Sequence, residues 1–221
     1  MEHYRTKKEM IYEILKADIL SGKYAFGEKL IISRLAKEFK SSEIPVRESL
    51  NQLSAQNLVA FEPHVGAVVK SLSMQEVKDI FEIRVVLEGL ATRLAMPHLT
   101  ESDFNFLRNN IKKSKEILDK EYFEEFEALN FEFHNCIYEK SGNKTLIQSI
   151  HDFWSNTKRY PSLFKQNRSH INLSIKEHEH IYDSLIGNNG AIAESLMIEH
   201  KSRAESEMLS IMEKQTEKVD K

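Results

Sequence analysis

With one cysteine, Cys136, among its 221 residues, the chain can form no internal disulfide, and a reducing cytoplasm is its expected home. No apolar run approaches the ~18 residues that a spanning helix needs, so no membrane partner is expected. The opening MEHYRTKKEM holds no apolar core of the kind a secretory signal requires. Seven glycines and four prolines are too few for a turn-rich all-β fold and favour helices. Neither charge sign dominates: 31 Lys and Arg stand against 34 Asp and Glu, a net of −3. Residues 1–70 hold 11 basic and 9 acidic side chains, a net of +2, which leaves 20 and 25, a net of −5, for residues 71–221. A surplus of +2 does not by itself argue for nucleic-acid binding, so geometry must carry any such reading.

What is present is helical periodicity, broken once. Residues 7–21 place Met10, Ile11, Ile14, Leu15 and Ile19 at helical spacing, and Gly22 ends the run. A short helix is expected over about 33–39 and a second after Ser42. Leu35, Ala36 and Phe39 supply the inner face of one, and Val46, Leu50 and Leu53 that of the other. Small Ala36 lets the two helices come close. Two helices joined by a three- or four-residue turn form a helix-turn-helix. Ser42 stands at the N-cap and Pro45 in the first turn, where its missing N–H costs nothing. Such a helix start can face a phosphate with free amides, and Arg47 lies where recognition helices meet base edges. Leu58 to Phe61 and Ala67 to Val69 then read as two short strands. The turn from Pro63 to Gly66 between them puts His64 and Gly66 at the tip of a wing. His64 also reads as an idle exposed loop residue.

These residues resemble the GntR family of bacterial regulators. The resemblance runs through Ile19-Leu20-Ser21-Gly22, Gly27-Glu28-Lys29-Leu30, Leu35-Ala36, Pro45-Val46-Arg47-Glu48-Ser49-Leu50 and Gly66-Ala67-Val68-Val69. It implies a winged helix-turn-helix that binds double-stranded operator DNA through Arg34, Ser42, Glu43, Ile44, Arg47, His64 and Gly66. The family's usual Ser-Arg-Thr-Pro-Val-Arg reads here Ser42-Glu43-Ile44-Pro45-Val46-Arg47, so a carboxylate replaces a DNA-contacting arginine. A second expected arginine is Ser33, with Arg34 beside it.

After residue 71 no strand is expected. Six helices are, at about 73–96, 101–119, 122–140, 144–160, 168–186 and 190–213, followed by a frayed tail. Nine histidines invite a metal search. His134 lies four residues after Asn130, so both share one helix face. His178 falls one turn from Ile175 and Ile181 and two from Leu185 and points inward, whereas His180 points sideways. His200 lies on the face flanked by Leu196, Met197 and Met208. Three inward imidazoles on three helices of a bundle can converge on Zn, Ni or a similar ion. They can equally be three separate core histidines.

Residues 73–213 are similar to the effector-binding helical domain, FCD, of the FadR branch of that family. Arg84, Glu88-Gly89-Leu90, Phe133-His134, Ser141-Gly142-Asn143, Glu177-His178 and His200 carry the similarity, and six helices look like its shorter, vanillate-regulator-type members. The resemblance implies metal ligands at Asn130, His134, His178 and His200, with Asn130 where aspartate is usual. Arg84 falls within the stripe Val77, Ile80, Phe81, Leu87, Ala91 and Leu94. It is read either as an i,i+4 partner of Glu88 or as a binder of a carboxylate effector, with Tyr138, Trp154 and Tyr160 as candidate walls that read first as aromatic core.

The expected protein is mainly α. Residues 1–70 form a winged helix-turn-helix with a small β-hairpin wing, and residues 71–221 an all-α antiparallel helical bundle for effector binding and dimerisation. Its expected role is a cytoplasmic, homodimeric, ligand-responsive regulator, not an enzyme. It would bind a two-fold operator and be controlled by a small organic acid at or near a divalent metal. A metal-responsive sensor and a three-histidine metalloenzyme are the alternatives.

Overall fold

The computed structural model describes residues 6–71, 73–157 and 168–219. Tyr160 and Pro161, and the expected end of the fourth bundle helix at 160, lie outside the described residues. The chain divides into two compact units, the first made of Met1–Ser73 with Ser155–Tyr160 and the second of Met74–Trp154 with Pro161–Lys221.

In the first unit, helix α1 (Lys7–Leu20) opens on a capping box. The Thr6 hydroxyl accepts from the Glu9 amide at 3.2 Å, and the Glu9 carboxylate accepts from the Thr6 amide at 2.8 Å. Its buried side chains, Ile11, Tyr12, Leu15 and Ile19, form one helical stripe. Helices α2 (Ile32–Glu38) and α3 (Glu43–Ala55) form the helix-turn-helix, and Lys40 turns the chain between them at φ 47. Val46, Leu50 and Leu53 are fully buried, each burial worth about 1.5–3 kcal/mol. The Ser49 hydroxyl ties α3 to α1, sharing its proton between the carbonyls of Lys8 (2.9 Å) and Pro45 (2.8 Å).

Strands β1 (Val59–Glu62) and β2 (Gly66–Val69) pair antiparallel, with Val59 opposite Val69 and Glu62 opposite Gly66. Strand β1 lies one residue later than expected, and β2 starts one residue earlier and ends where expected. The loop is Pro63-His64-Val65, and Gly66 (φ 101) is the first residue of β2, not the tip. His64 itself takes up the left-handed conformation at φ 61.

The second unit holds six α-helices among the described residues: α4 (Met74–Ala95), α5 (Glu101–Lys120), α6 (Phe123–Glu139), α7 (Lys144–Thr157), α8 (Arg168–Ile186) and α9 (Gly190–Val219). A single 3₁₀ turn, Met96–His98, separates α4 from α5. A second capping box, Thr100 with Asp103, starts α5. The expected frayed tail is helical: α9 runs to Val219, because nothing in EKQTEKV breaks a helix. Helices α4 and α9 pack closely at Gly89, where a Cβ would stand 2.8 Å from Ile198. The stripe on α4 also differs from expectation. Glu88, one residue past Leu87, is the fully buried position, between Arg84 and Thr92.

Candidate functional site

The start of α3 presents its polar groups outward. Arg34, Ser42, Glu43, Ile44 and Arg47 are all exposed, and Ile44 is 70% exposed although apolar. Glu43, Ile44 and Arg47 share a face through their i,i+3 and i,i+4 spacing. Ser42 occupies the N-cap backbone position, but its side chain makes no capping bond. The first amides of α3 therefore stay free for an outside acceptor. His64 and Gly66 are exposed at the wing.

The second unit brings its three predicted histidines together. His134 on α6, His178 on α8 and His200 on α9 are buried, and their ligand nitrogens lie within 4.8 Å of one another. The His134 Nε2 stands 3.1 Å from the His200 Nε2 and 3.2 Å from the His178 Nε2. Phe133 stacks on His178, with ring centroids 4.0 Å apart. Burial, then neighbouring positive charge, holds all three imidazoles well below their usual pKa, so they are neutral.

The far sides of two rings fix their tautomers. Glu177 Oε2 accepts from His200 Nδ1 at 2.5 Å. The Tyr138 hydroxyl gives its proton to Glu88 Oε2 at 2.5 Å, so toward His134 Nδ1, at 3.3 Å, it can only accept. His134 and His200 then carry their protons on Nδ1 and turn unprotonated Nε2 atoms at each other. Two lone pairs at that distance call for a cation between them. Metal–nitrogen bonds of about 2.0–2.1 Å at tetrahedral angles put ligand nitrogens about 3.3 Å apart, close to both observed separations. One turn before His134, the buried Asn130 Oδ1 has no hydrogen-bond partner among the described residues, as a spare ligand oxygen would. The donor set fits a divalent ion.

Beside this centre lies a cluster that the sequence shows only in part. Arg84 does pair with Glu88, at 2.8 Å through Nε, but it is one of four partners. Glu88 Oε1 also accepts from Trp154 Nε1 at 2.9 Å. Glu88 Oε2 takes Tyr138 and, at 3.1 Å, the Lys201 ammonium. Burial alone would raise the Glu88 pKa. Arg84 and Lys201, with the two neutral donors, reverse this and bring it to about 2. Burial lowers Lys201 to about 8, with Glu88 opposing. Arg84 lies 5.5 Å and Lys201 5.2 Å from the Trp154 ring centroid. So Tyr138 and Trp154, read from the sequence as aromatic core or else as pocket walls, are buried hydrogen-bond donors to a carboxylate.

Sequence reasoning missed Lys201 and the role of Glu177. Lys201 follows Met197 by four residues and precedes Met208 by seven, which places it on the buried stripe of α9. Behind His200, Arg203 grips both Glu177 oxygens, at 2.5 and 2.6 Å, and donates to Ser174 and Glu207. That fork holds the carboxylate that orients His200.

A chain with an exposed recognition helix and wing, and a second helical unit enclosing three histidines, has the make-up of a one-chain DNA-binding regulator with a sensory half. Residues 7–69 match the description "Bacterial regulatory proteins, gntR family", and residues 79–203 match the FCD domain. The chain belongs to the GntR family of bacterial regulators, in the group whose helical part is an FCD domain. It is 24% identical over 192 residues to the HTH-type transcriptional repressor RspR of Escherichia coli K12, spanning 87% of this chain and 84% of that protein. It is 29% identical over 210 residues to the HTH-type transcriptional regulator LutR of Bacillus subtilis 168, spanning 85% and 94%. Among solved structures, E. coli McbR/YncC shares the fold at a TM-score of 0.74 and 22% identity, covering 94% of this chain and 99% of that one. These domains and relatives are transcriptional regulators and not enzymes, so the metalloenzyme alternative is set aside. No helix among the described residues is long and apolar enough to cross a membrane.

Proposed function

We propose that this regulator binds a two-fold DNA operator as a homodimer. In this reading the first unit, residues 1–70, reads DNA. The second, residues 71–221, holds a divalent metal, zinc or nickel, and a small carboxylate effector. The observation that carries the sensory half is the convergence of three buried, neutral histidines within 4.8 Å. His134, His178 and His200 would hold the ion with Asn130, and the ion would supply positive charge and an open position for a carboxylate oxygen. Glu177 keeps the His200 lone pair aimed inward, and the Tyr138 oxygen does the same for His134. Arg84 is the proposed partner of the effector's acid group.

Effector binding then shifts the population between DNA-competent and DNA-incompetent states of the dimer. A dimer is supported by the outer face of α4, where Ile83 and Val86 are 44% and 63% exposed. On the DNA, Arg34, Arg47, the amides from Ser42 to Ile44, and the wing at His64 and Gly66 supply the contacts. Glu43 trades phosphate affinity for selectivity, because it repels phosphate but can accept from a cytosine amino group. Glu43→Arg is expected to raise nonspecific binding and steepen the salt dependence by about one counterion per head. Binding titrations from low to high salt check this, and an unmoved slope means that Glu43 faces away from DNA.

Asn130 decides how strongly the metal is held without effector. Three imidazoles and an amide leave a divalent ion its full charge, whereas an aspartate would cancel one unit. Asn130→Asp is expected to tighten zinc or nickel binding tenfold or more in the absence of effector, and to weaken the coupling between metal and carboxylate. Calorimetry of the metal with and without a carboxylate, on wild type and variant, checks it. Equal metal affinity in all four cases removes Asn130 from the ligand set. If metal alone changes operator affinity and carboxylates do not, the ion itself is the signal.

A further inference from the structure

Resting on the DNA-binding reading of the first unit, we infer that Ile44 selects thymine: its side chain packs on the 5-methyl group of one thymine in the major groove of each half-site. Ile44 is 70% exposed, the most exposed of the large apolar side chains among the described residues. A lone exposed isoleucine is ordinary on most of a protein surface. This one has an unusual place. It is the second residue of α3, on the face it shares with Glu43 and Arg47, and all three are exposed. That is the part of a recognition helix that meets base edges.

The residue is also a poor choice for the helix that carries it. Isoleucine is β-branched and loses side-chain freedom in a helix. It precedes Pro45, whose ring disfavours helical backbone in the residue before it, yet Ile44 lies within α3. No core packing offsets this, because the α3 residues that turn inward are Val46, Ser49, Leu50 and Leu53. A side chain that local preference opposes, and that no packing rewards, points to function.

What an isoleucine can read is narrow. It has no donor or acceptor, so it adds nothing at a phosphate and makes no base-edge hydrogen bond. The major-groove edges of the four bases carry one apolar group, the thymine methyl. The stiffness that costs the helix helps the contact: one χ1 rotamer dominates, so little freedom is lost when DNA arrives. Glu43 can accept from a cytosine and Arg47 can grip a guanine, so Ile44 adds a base that neither neighbour selects. Ile44 and Arg47 stand one helical turn apart, about 5–6 Å between Cβ atoms, and bases along one strand rise about 3.4 Å. The thymine therefore lies within about two base pairs of the position that Arg47 reads.

The test starts with selection of duplexes from a random pool by the full-length protein, which gives the half-site. Deoxyuridine then replaces each thymine in turn, in both half-sites. This deletes the methyl group and leaves the hydrogen-bonding edge intact. At one position, fluorescence anisotropy should show affinity falling about fourfold per half-site, the worth of one buried methyl group, and roughly fifteenfold for a dimer on both. Ile44→Ser should bind the thymine and deoxyuridine duplexes within about twofold of each other, and Ile44→Val should keep most of the preference. The thermal midpoint of Ile44→Ser should match wild type, since the side chain is exposed. A lower midpoint with an unchanged response to deoxyuridine would show an isoleucine that packs against protein, and that overturns the inference. Indifference of wild type to deoxyuridine at every position, or a selected half-site without thymine, overturns it too and leaves the DNA-binding reading standing. A pool that yields no selected sequence removes both.

Discussion

Replacing Glu88 by alanine is expected to destabilise the helical unit by about 3–5 kcal/mol, which is large against the margin of an ordinary domain. The loss is not that of one ion pair. Alanine would remove the carboxylate that two buried cations, Arg84 on α4 and Lys201 on α9, share. It would also leave the Tyr138 hydroxyl and the Trp154 indole N–H without the acceptor they share. Urea unfolding at neutral pH measures the loss.

A second limb of the same prediction is the pH profile. The Glu88 carboxyl titrates near 2 in the folded state against an ordinary 4.5. Its depressed pKa means that its contribution is whole above 4.5 and is lost as the pH falls from there toward about 2. Roughly 3 kcal/mol of acid-labile stability should therefore be present in wild type and missing from Glu88→Ala. Equal unfolding midpoints for the two proteins at neutral pH would mean that this carboxylate does not hold its neighbours.

Arg47→Ala should weaken operator binding by ~1–3 kcal/mol per head, and by twice that for a dimer engaging both half-sites. Among the exposed residues at the start of α3, Arg47 is the cation, since Glu43 stands where the family has an arginine. The side chain is exposed while Val46 beside it is fully buried, so truncation should spare the fold. Arg47→Lys should recover part of the affinity if phosphate attraction dominates, and little if a bidentate base contact does. Fluorescence anisotropy at fixed salt measures all three proteins. Wild-type affinity in Arg47→Ala, with helicity intact, would take this helix out of the DNA interface.

The elements were legible because helix starts and stops are local. Thr100 with Asp103, Gly22, Pro97 and the Gly187–Gly190 turn mark boundaries within a few residues of where hydrogen bonds begin or end. The inward histidines were legible for the same reason, since each could be judged from apolar neighbours one turn away on its own helix. What stayed hidden depends on pairs of helices. The Glu177 contact with His200 joins residues 23 apart, and the Glu88 contact with Trp154 joins residues 66 apart. No period within α8 or α4 announces either. Lys201 was obscured by its neighbour. Adjacent helical residues point about 100° apart, so periodicity allots the inward face to His200 alone. Glu88 offers an acceptor wide enough to draw in the next residue as well.

A chain with one cysteine cannot staple itself through sulfur, yet the histidine centre joins positions 44 and 66 residues apart, more than many disulfides span. An ion seated there is a reversible crosslink across α6, α8 and α9. Occupancy at 100 times the dissociation constant would add about 2.7 kcal/mol to the folded state. Chelation would then act on turnover in the cell as well as on signalling, since a regulator stripped of its staple opens more often to proteases. The cellular amount of this protein, and not only its grip on DNA, would follow the metal supply.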